Sequence, residues 1–225
     1  MAVVMTSPGA RNDRSALLDH LQRPQSLDFP GRSGPAVQDF PGQHRANEQF
    51  EADFLKISPN NKIPAIVDHE PADGGEPLNL FESGAILLYL AEKTGQFIAK
   101  DLRGRQETLQ WLFWQMGGLG PMAGQNHHFN RFAKEKIPYA INRYVDETAR
   151  LYGVLNERLA DRSFVAGEDY GIADMAIYPW IVPHTFQEQN LDDFPHLKRW
   201  FETVANRDAV KRAYALADKI NPPKP

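Results

Sequence analysis

Phe50, Phe54 and Ile57 recur at helical spacing and predict a helix over residues 48–57. Ser58-Pro59-Asn60-Asn61 stops it with turn chemistry. Ile63-Pro64-Ala65-Ile66-Val67 then reads as a short strand with a proline near its start, and residues 68–77 as a polar turn holding Gly74-Gly75. Residues 78–81 pair back as a second strand, so the stretch reads as a hairpin. Ser83 opens a helix over 84–93, with Ile86, Leu87 and Leu90 on one face, and Gly95 ends it as a left-handed cap. After a linker at 94–102 every apolar pattern has the helical period. Helices are predicted over 102–114, 138–159, 172–180, 196–205 and 208–219. Gly117-Gly118-Leu119-Gly120-Pro121 is expected to interrupt or kink the first of these. The 138–159 helix is amphipathic, with Tyr144, Leu151, Leu155 and Leu159 near one stripe, and 172–180 is nearly all apolar and hence central. The order is a mixed α/β unit followed by a helical bundle.

The first 47 residues differ. They contain no Lys, Glu, Ile, Tyr or Trp, but five Arg, five Pro and four Gly. Residues 2–5 read as a strand and 10–21 as a helix. Residues 22–47 show no periodicity, because Pro and Gly interrupt each candidate element.

Charge and composition narrow the function classes. The 225 residues carry 25 basic and 29 acidic side chains, a net charge of −4, which disfavours a general nucleic-acid binder. The longest apolar run, 85–91, is far below the ~20 residues of a membrane helix. No secretory signal pattern opens the chain, so a cytoplasmic protein is expected. Cysteine is absent, which excludes disulfides, cysteine-based zinc sites and a catalytic thiol supplied by these residues.

Two motifs carry candidate chemistry. Ile63-Pro64 is either the start of an edge strand or a cis peptide bond. The cis form would turn the Ile63 N–H and C=O outward to pair with an extended peptide. Glu82-Ser83 stands at a helix start, where Ser is commonly an N-cap, but where backbone N–H groups also bind a carboxylate. Glu82 beside it can hold an ammonium, and carboxylate plus ammonium is an amino-acid head group. Around Gly171, Asp174 is placed for half of a capping box, with Tyr170 and Met175 as a hydrophobic staple, a structural role. His127-His128 point about 100° apart on a helix and are not expected to bind metal. Trp111, Phe113 and Trp114 read as core.

The stretches EQFEADFLKISPNNKIPAIVD, NLFESGAILLYLAEKTG and LQWLFWQMGGLGPMAGQNHHFN resemble the cytosolic glutathione transferases, most closely the bacterial nu-class branch, which is related to fungal nitrogen-regulator proteins. The resemblance implies a thioredoxin-like α/β N-terminal domain (1–97) and an all-α C-terminal domain (102–221) in a homodimer. It implies glutathione as cosubstrate, no metal, and small disulfides or electrophiles as partners, with no nucleic acid or membrane. By resemblance Ile63 pairs with the cysteinyl unit, Glu82 and Ser83 hold the γ-glutamyl head, Gln49 contacts the glycine end or the head group, and Arg143 lies near the bound thiol compound. Glutathione-dependent disulfide reduction with weak transferase or peroxidase activity is the implied function; a non-catalytic glutathione-binding or interaction module is the alternative.

Two departures stand out. Gly171 replaces the family's usual Ser or Thr cap, and residues 1–47 do not match the family's opening strand–helix–strand, which is atypical or disrupted here. Thr6, Ser7 and Asn12, in an echo of the family's Thr-Pro-Asn-Gly turn, are the candidates for stabilising the glutathione thiolate. A frameshift, a mis-assigned start or disorder is the expectation for 1–47, with the family-like part starting near Glu48.

Overall fold

The computed structural model describes residues 2–7, 36–41 and 48–220. The chain divides into two compact units, residues 1–95 with 207–225, and residues 96–206. The 208–220 helix, assigned above to the second domain, thus groups with the first unit.

The first unit is built on a four-stranded sheet in the order β2-β1-β3-β4, from β1 (Ala2–Ser7), β2 (Ala36–Pro41), β3 (Ala65–Asp68) and β4 (Leu78–Phe81). The hairpin read from the sequence is present: β3 and β4 pair antiparallel from Ala65–Phe81 to Asp68–Leu78. All four β3 residues are buried, as suits an interior strand of β-branched and small residues. A short 3-10 turn (Glu48–Phe50) leads into α1 (Ala52–Ile57), whose Phe54 is buried with Ala65, Ile57 and Ile63 in one cluster. α2 (Ser83–Thr94) buries Ile86, Leu87 and Leu90, and Gly95 caps it at φ 67°. α8 (Asp208–Ile220) completes the unit.

One sequence expectation is corrected here, and the atypical opening takes a definite form. Residues 36–41 form β2, where no element was expected. Its prolines flank a strand too short to show a period, and its edge position tolerates them. A strand–helix–strand opening would run its two strands parallel, joined by a crossover. Instead β1 and β2 are antiparallel, from Ala2–Pro41 to Ser7–Ala36, and β1 runs parallel to β3. The helix expected over 10–21 lies outside the described residues.

The second unit is helical: α3 (Leu102–Trp114), α4 (Gly120–His127), α5 (Pro138–Arg158), α6 (Ile172–Ile181) and α7 (Pro195–Ala205). The Gly-rich stretch does not break the chain into a loop. It forms a π-helical turn, Gln115–Leu119, between α3 and α4, and Pro121 sits in the first turn of α4, where its missing N–H is no loss. Phe113, expected in the core, is 65% exposed. Trp111 and Trp114 meet edge to face at 5.2 Å, and the Arg158 guanidinium lies 5.0 Å over Trp111.

α6 is central, as its composition predicts. Asp174 is fully buried on it and accepts from the Gly171 N–H (2.9 Å), the Val165 N–H (2.9 Å) and Trp200 Nε1 (2.8 Å). Burial pushes its carboxyl up to about 6, against the pull of these N–H donors. The carboxylate thereby ties the loop before α6, the start of α6 and α7 into one joint. Gly171 is required by a close approach: a Cβ there would lie 2.9 Å from the Phe97 carbonyl oxygen, which already accepts from the Ile172 N–H. Gly171→Ser, the family's residue, should therefore destabilise by about 1–3 kcal/mol through the clash, outweighing the few tenths a better cap supplies. Urea midpoints of the two proteins check this.

Candidate functional site

The β3–β4 register builds the site. Because Ala65 pairs with Phe81, the residues just before β3 and just after β4 fall at one end of the sheet. These are Ile63-Pro64 and Glu82-Ser83. The Ile63–Pro64 bond is cis, the sharper of the two sequence readings. Ahead of it, Ser58 Oγ donates to the Lys62 carbonyl (2.8 Å) and the Asn61 N–H to the Ser58 carbonyl (3.0 Å), with Asn61 at φ 49°. This closed turn fixes the chain entering Ile63, which is half-buried over a buried Pro64.

Glu82, not Ser83, holds the cap position of α2, and Ser83 is its first helical residue. The Glu82 side chain makes no capping bond and is exposed; its carbonyl accepts from the Ile86 N–H at 3.0 Å. Its backbone sits at φ 68°, ψ 116°, a region that favours glycine. Backbone strain in a non-glycine residue gathers at functional positions, held there by its surroundings. Ser83 and Gly84 beside it are buried. The end of the sheet thus presents an exposed carboxylate next to the positive end of a 12-residue helix, a fit for an ammonium and a carboxylate on one ligand. Sequence reasoning missed the strain at Glu82, since nothing in the residue type signals a positive φ. Gln49 lies on the 3-10 turn ahead of α1, half-buried.

Within the first unit, Thr6 and Ser7 stand apart from that end. β1 pairs with β3 from Val3–Ala65 to Met5–Val67, so Thr6 and Ser7 continue toward the Asp68 end. At ~3.3 Å per residue that sets Thr6 about 16 Å and Ser7 about 20 Å along the sheet from Ile63. In this register β1 runs in the direction that carries Thr6 and Ser7 away from Ile63. Asn12 lies outside the described residues. Arg143 belongs to the second unit, on α5, with an exposed side chain near Glu147. Among the described residues no group of three His, Asp or Glu is arranged to hold a metal. His127 is half-buried, and burial, with the Arg131 charge, holds its imidazole below the ordinary range.

Glu82→Gly should leave stability unchanged or raise it by up to about 2 kcal/mol, because relief of a positive φ offsets the entropy of a new glycine. It should weaken retention on immobilised glutathione at the same time. Thermal unfolding and column retention read the two effects separately.

Two family models match the chain: "Glutathione S-transferase, N-terminal domain" over residues 35–92 and "Glutathione S-transferase, C-terminal domain" over residues 126–208. The first takes in β2, so the family-like part starts ahead of the position expected near Glu48. The chain is 62% identical over 169 residues to the disulfide-bond oxidoreductase YfcG of Escherichia coli K12, covering 75% of this chain and 79% of that protein. It is 43% identical over 183 residues to the E. coli disulfide-bond oxidoreductase YghU, covering 78% of this chain and 62% of that one. Among solved structures it is similar to a glutathione transferase family member from Pseudomonas fluorescens with two glutathione bound, at a TM-score of 0.73 and 45% identity, covering 76% of this chain and 78% of that one.

Proposed function

We propose, for a chain that belongs to the glutathione S-transferase family, that its activity is the glutathione-dependent reduction of disulfide bonds. The observation that carries this reading is the convergence of Ile63, Glu82 and Ser83 at one end of the sheet of a chain without cysteine. Glutathione would lie extended, its cysteinyl unit along the Ile63 backbone and its γ-glutamyl head between the Glu82 carboxylate and the first turn of α2. The reacting sulfur then comes from glutathione alone. Its thiolate attacks one sulfur of the substrate disulfide; the S–S bond breaks, one thiolate leaves and takes a proton, and a mixed disulfide forms. A second glutathione thiolate attacks that mixed disulfide, releasing the second substrate thiol and glutathione disulfide. Gln49 is proposed as a further contact to the bound tripeptide. A cytoplasmic homodimer fits this reading, since glutathione is kept reduced in that compartment.

A second reading is a glutathione-binding module without turnover. The position of Thr6 and Ser7 favours it, because a donor to the sulfur is what lowers a thiol pKa and speeds attack. Retention on glutathione-agarose with an assay on hydroxyethyl disulfide separates the two: turnover supports the reductase, and retention alone supports the module.

Ser83→Ala should raise the Kd for glutathione about ten-fold or more, since a hydrogen bond to a charged group contributes about 1.5–3 kcal/mol. Calorimetric binding equal to wild type would move the site elsewhere. For Arg143 the proposal rests on the resemblance. Arg143→Ala should raise KM for glutathione or lower kcat while leaving Tm nearly unchanged, as its side chain is exposed. A large fall in Tm with normal kinetics would make it a structural residue.

A further inference from the structure

The stretch from the end of α4 into α5, together with Phe186 packed against its Arg131, exposes more apolar surface than packing requires. Phe132 is 75% exposed, Tyr139 78%, Phe186 59% and Ile137 40%. Scattered single exposures are ordinary, but a cluster of this kind marks an interaction surface. The cluster is held in place. The Arg131 guanidinium sits 5.1 Å over the Phe186 ring, and its Nε donates to the Phe186 carbonyl (3.4 Å). Lys136 Nζ donates to the Asn130 carbonyl (2.8 Å), closing the loop after the π-helical turn His128–Phe132. Asn130 Nδ2 donates to Glu188 Oε1 (2.9 Å), so that carboxylate is already engaged. Charge gives the surface a sign. Residues 128–139 carry Arg131, Lys134 and Lys136 against the single acid Glu135, within a chain of net charge −4.

Exposed aromatic faces flanked by ammonium and guanidinium groups, held by internal bonds, complement a segment that alternates carboxylates with apolar side chains. We propose that this ridge docks an acidic, apolar segment of a polypeptide whose disulfide is the substrate. The proposal rests on the disulfide reading above and names its substrate class. A second copy of this chain is the competing occupant.

The test uses the full chain, glutathione, hydroxyethyl disulfide and two peptide disulfides of equal length, one flanked by Glu and Leu, the other by Lys and Leu. Wild type should favour the acidic peptide by about ten-fold in kcat/KM. The triple variant Phe132→Ser, Lys134→Glu, Tyr139→Ser should lose that preference through KM and keep its rate on hydroxyethyl disulfide. Equal rates on both peptides in wild type, or a preference that survives the triple change, would overturn the proposal. If hydroxyethyl disulfide is not reduced, the disulfide reading itself has failed. Docking is then judged by calorimetry with the acidic peptide carrying Ser in place of Cys: binding lost in the triple variant supports the ridge, and no binding to wild type overturns it. Sedimentation that shows the triple variant splitting a dimer would assign the ridge to a second copy and overturn the proposal as well.

Discussion

The pairing of Ala65 with Phe81 decides where everything at the candidate site can stand. Side chains alternate along a strand, so a slip of one residue would flip β4 and carry Glu82 about 3.3 Å along the sheet from Ile63. The register is held from both sides. Ile86 and Leu87 of α2 are fully buried behind the strands. At the far end of β3, the buried Asp68 carboxylate accepts from Tyr89 Oη (2.7 Å), from the Glu70 N–H (3.0 Å) and from Lys93 Nζ. Burial alone would raise the Asp68 carboxyl, but these donors more than offset it and hold it below its ordinary value. Tyr89 and Lys93 both belong to α2, so the helix whose first turn forms the site is anchored by its last turns to β3.

The second unit is organised around a different carboxylate. Asp174 has no charged partner among its bonded donors; it takes three N–H groups instead, one of them the indole of Trp200, itself fully buried. A buried carboxylate is tolerated only when such donors satisfy it, and removal of one leaves the others facing an unpaired charge. Here the arrangement joins the loop before α6 and the start of α6 to α7, which lies further along the chain. Gly171 belongs to the same joint, because the Phe97 carbonyl occupies the space a side chain would need. The family's usual cap residue is thus absent for a steric reason that a propensity scale does not contain.

The residues proposed to bind glutathione and those proposed to steady its sulfur come from separate parts of the first unit. Ile63, Glu82 and Ser83 flank β3 and β4 and open α2, where local sequence and register agree. The candidates for steadying the sulfur, Thr6 and Ser7, lie on β1, whose direction takes them toward the opposite end of the sheet. Strand direction is a consequence of which strands pair, and here β1 pairs antiparallel with β2 across an interval with no repeating pattern of apolar positions.

Helices and the hairpin were legible in the sequence because their signals are local. Apolar spacing, Gly95, the turn at residues 58–61 and the cluster of formers after residue 102 each act within a few residues of one another. The proposed head-group site at Glu82-Ser83 was legible for the same reason, as a charged residue beside a helix start. What tertiary structure decided was whatever depends on distant partners. The strand at 36–41 exists by pairing with β1; the glycine stretch forms a π-helical turn in place of a break, with Pro121 in the first turn of α4; Phe113 faces solvent in an otherwise helical apolar run. The positive φ of Glu82 and the need for glycine at 171 arise from the fit of one segment against another. Sequence by itself determined the helices after residue 48, the hairpin and the side chains proposed to bind the ligand. Strand direction, and with it the place of Thr6 and Ser7, was decided by long-range pairing, which no local period encodes.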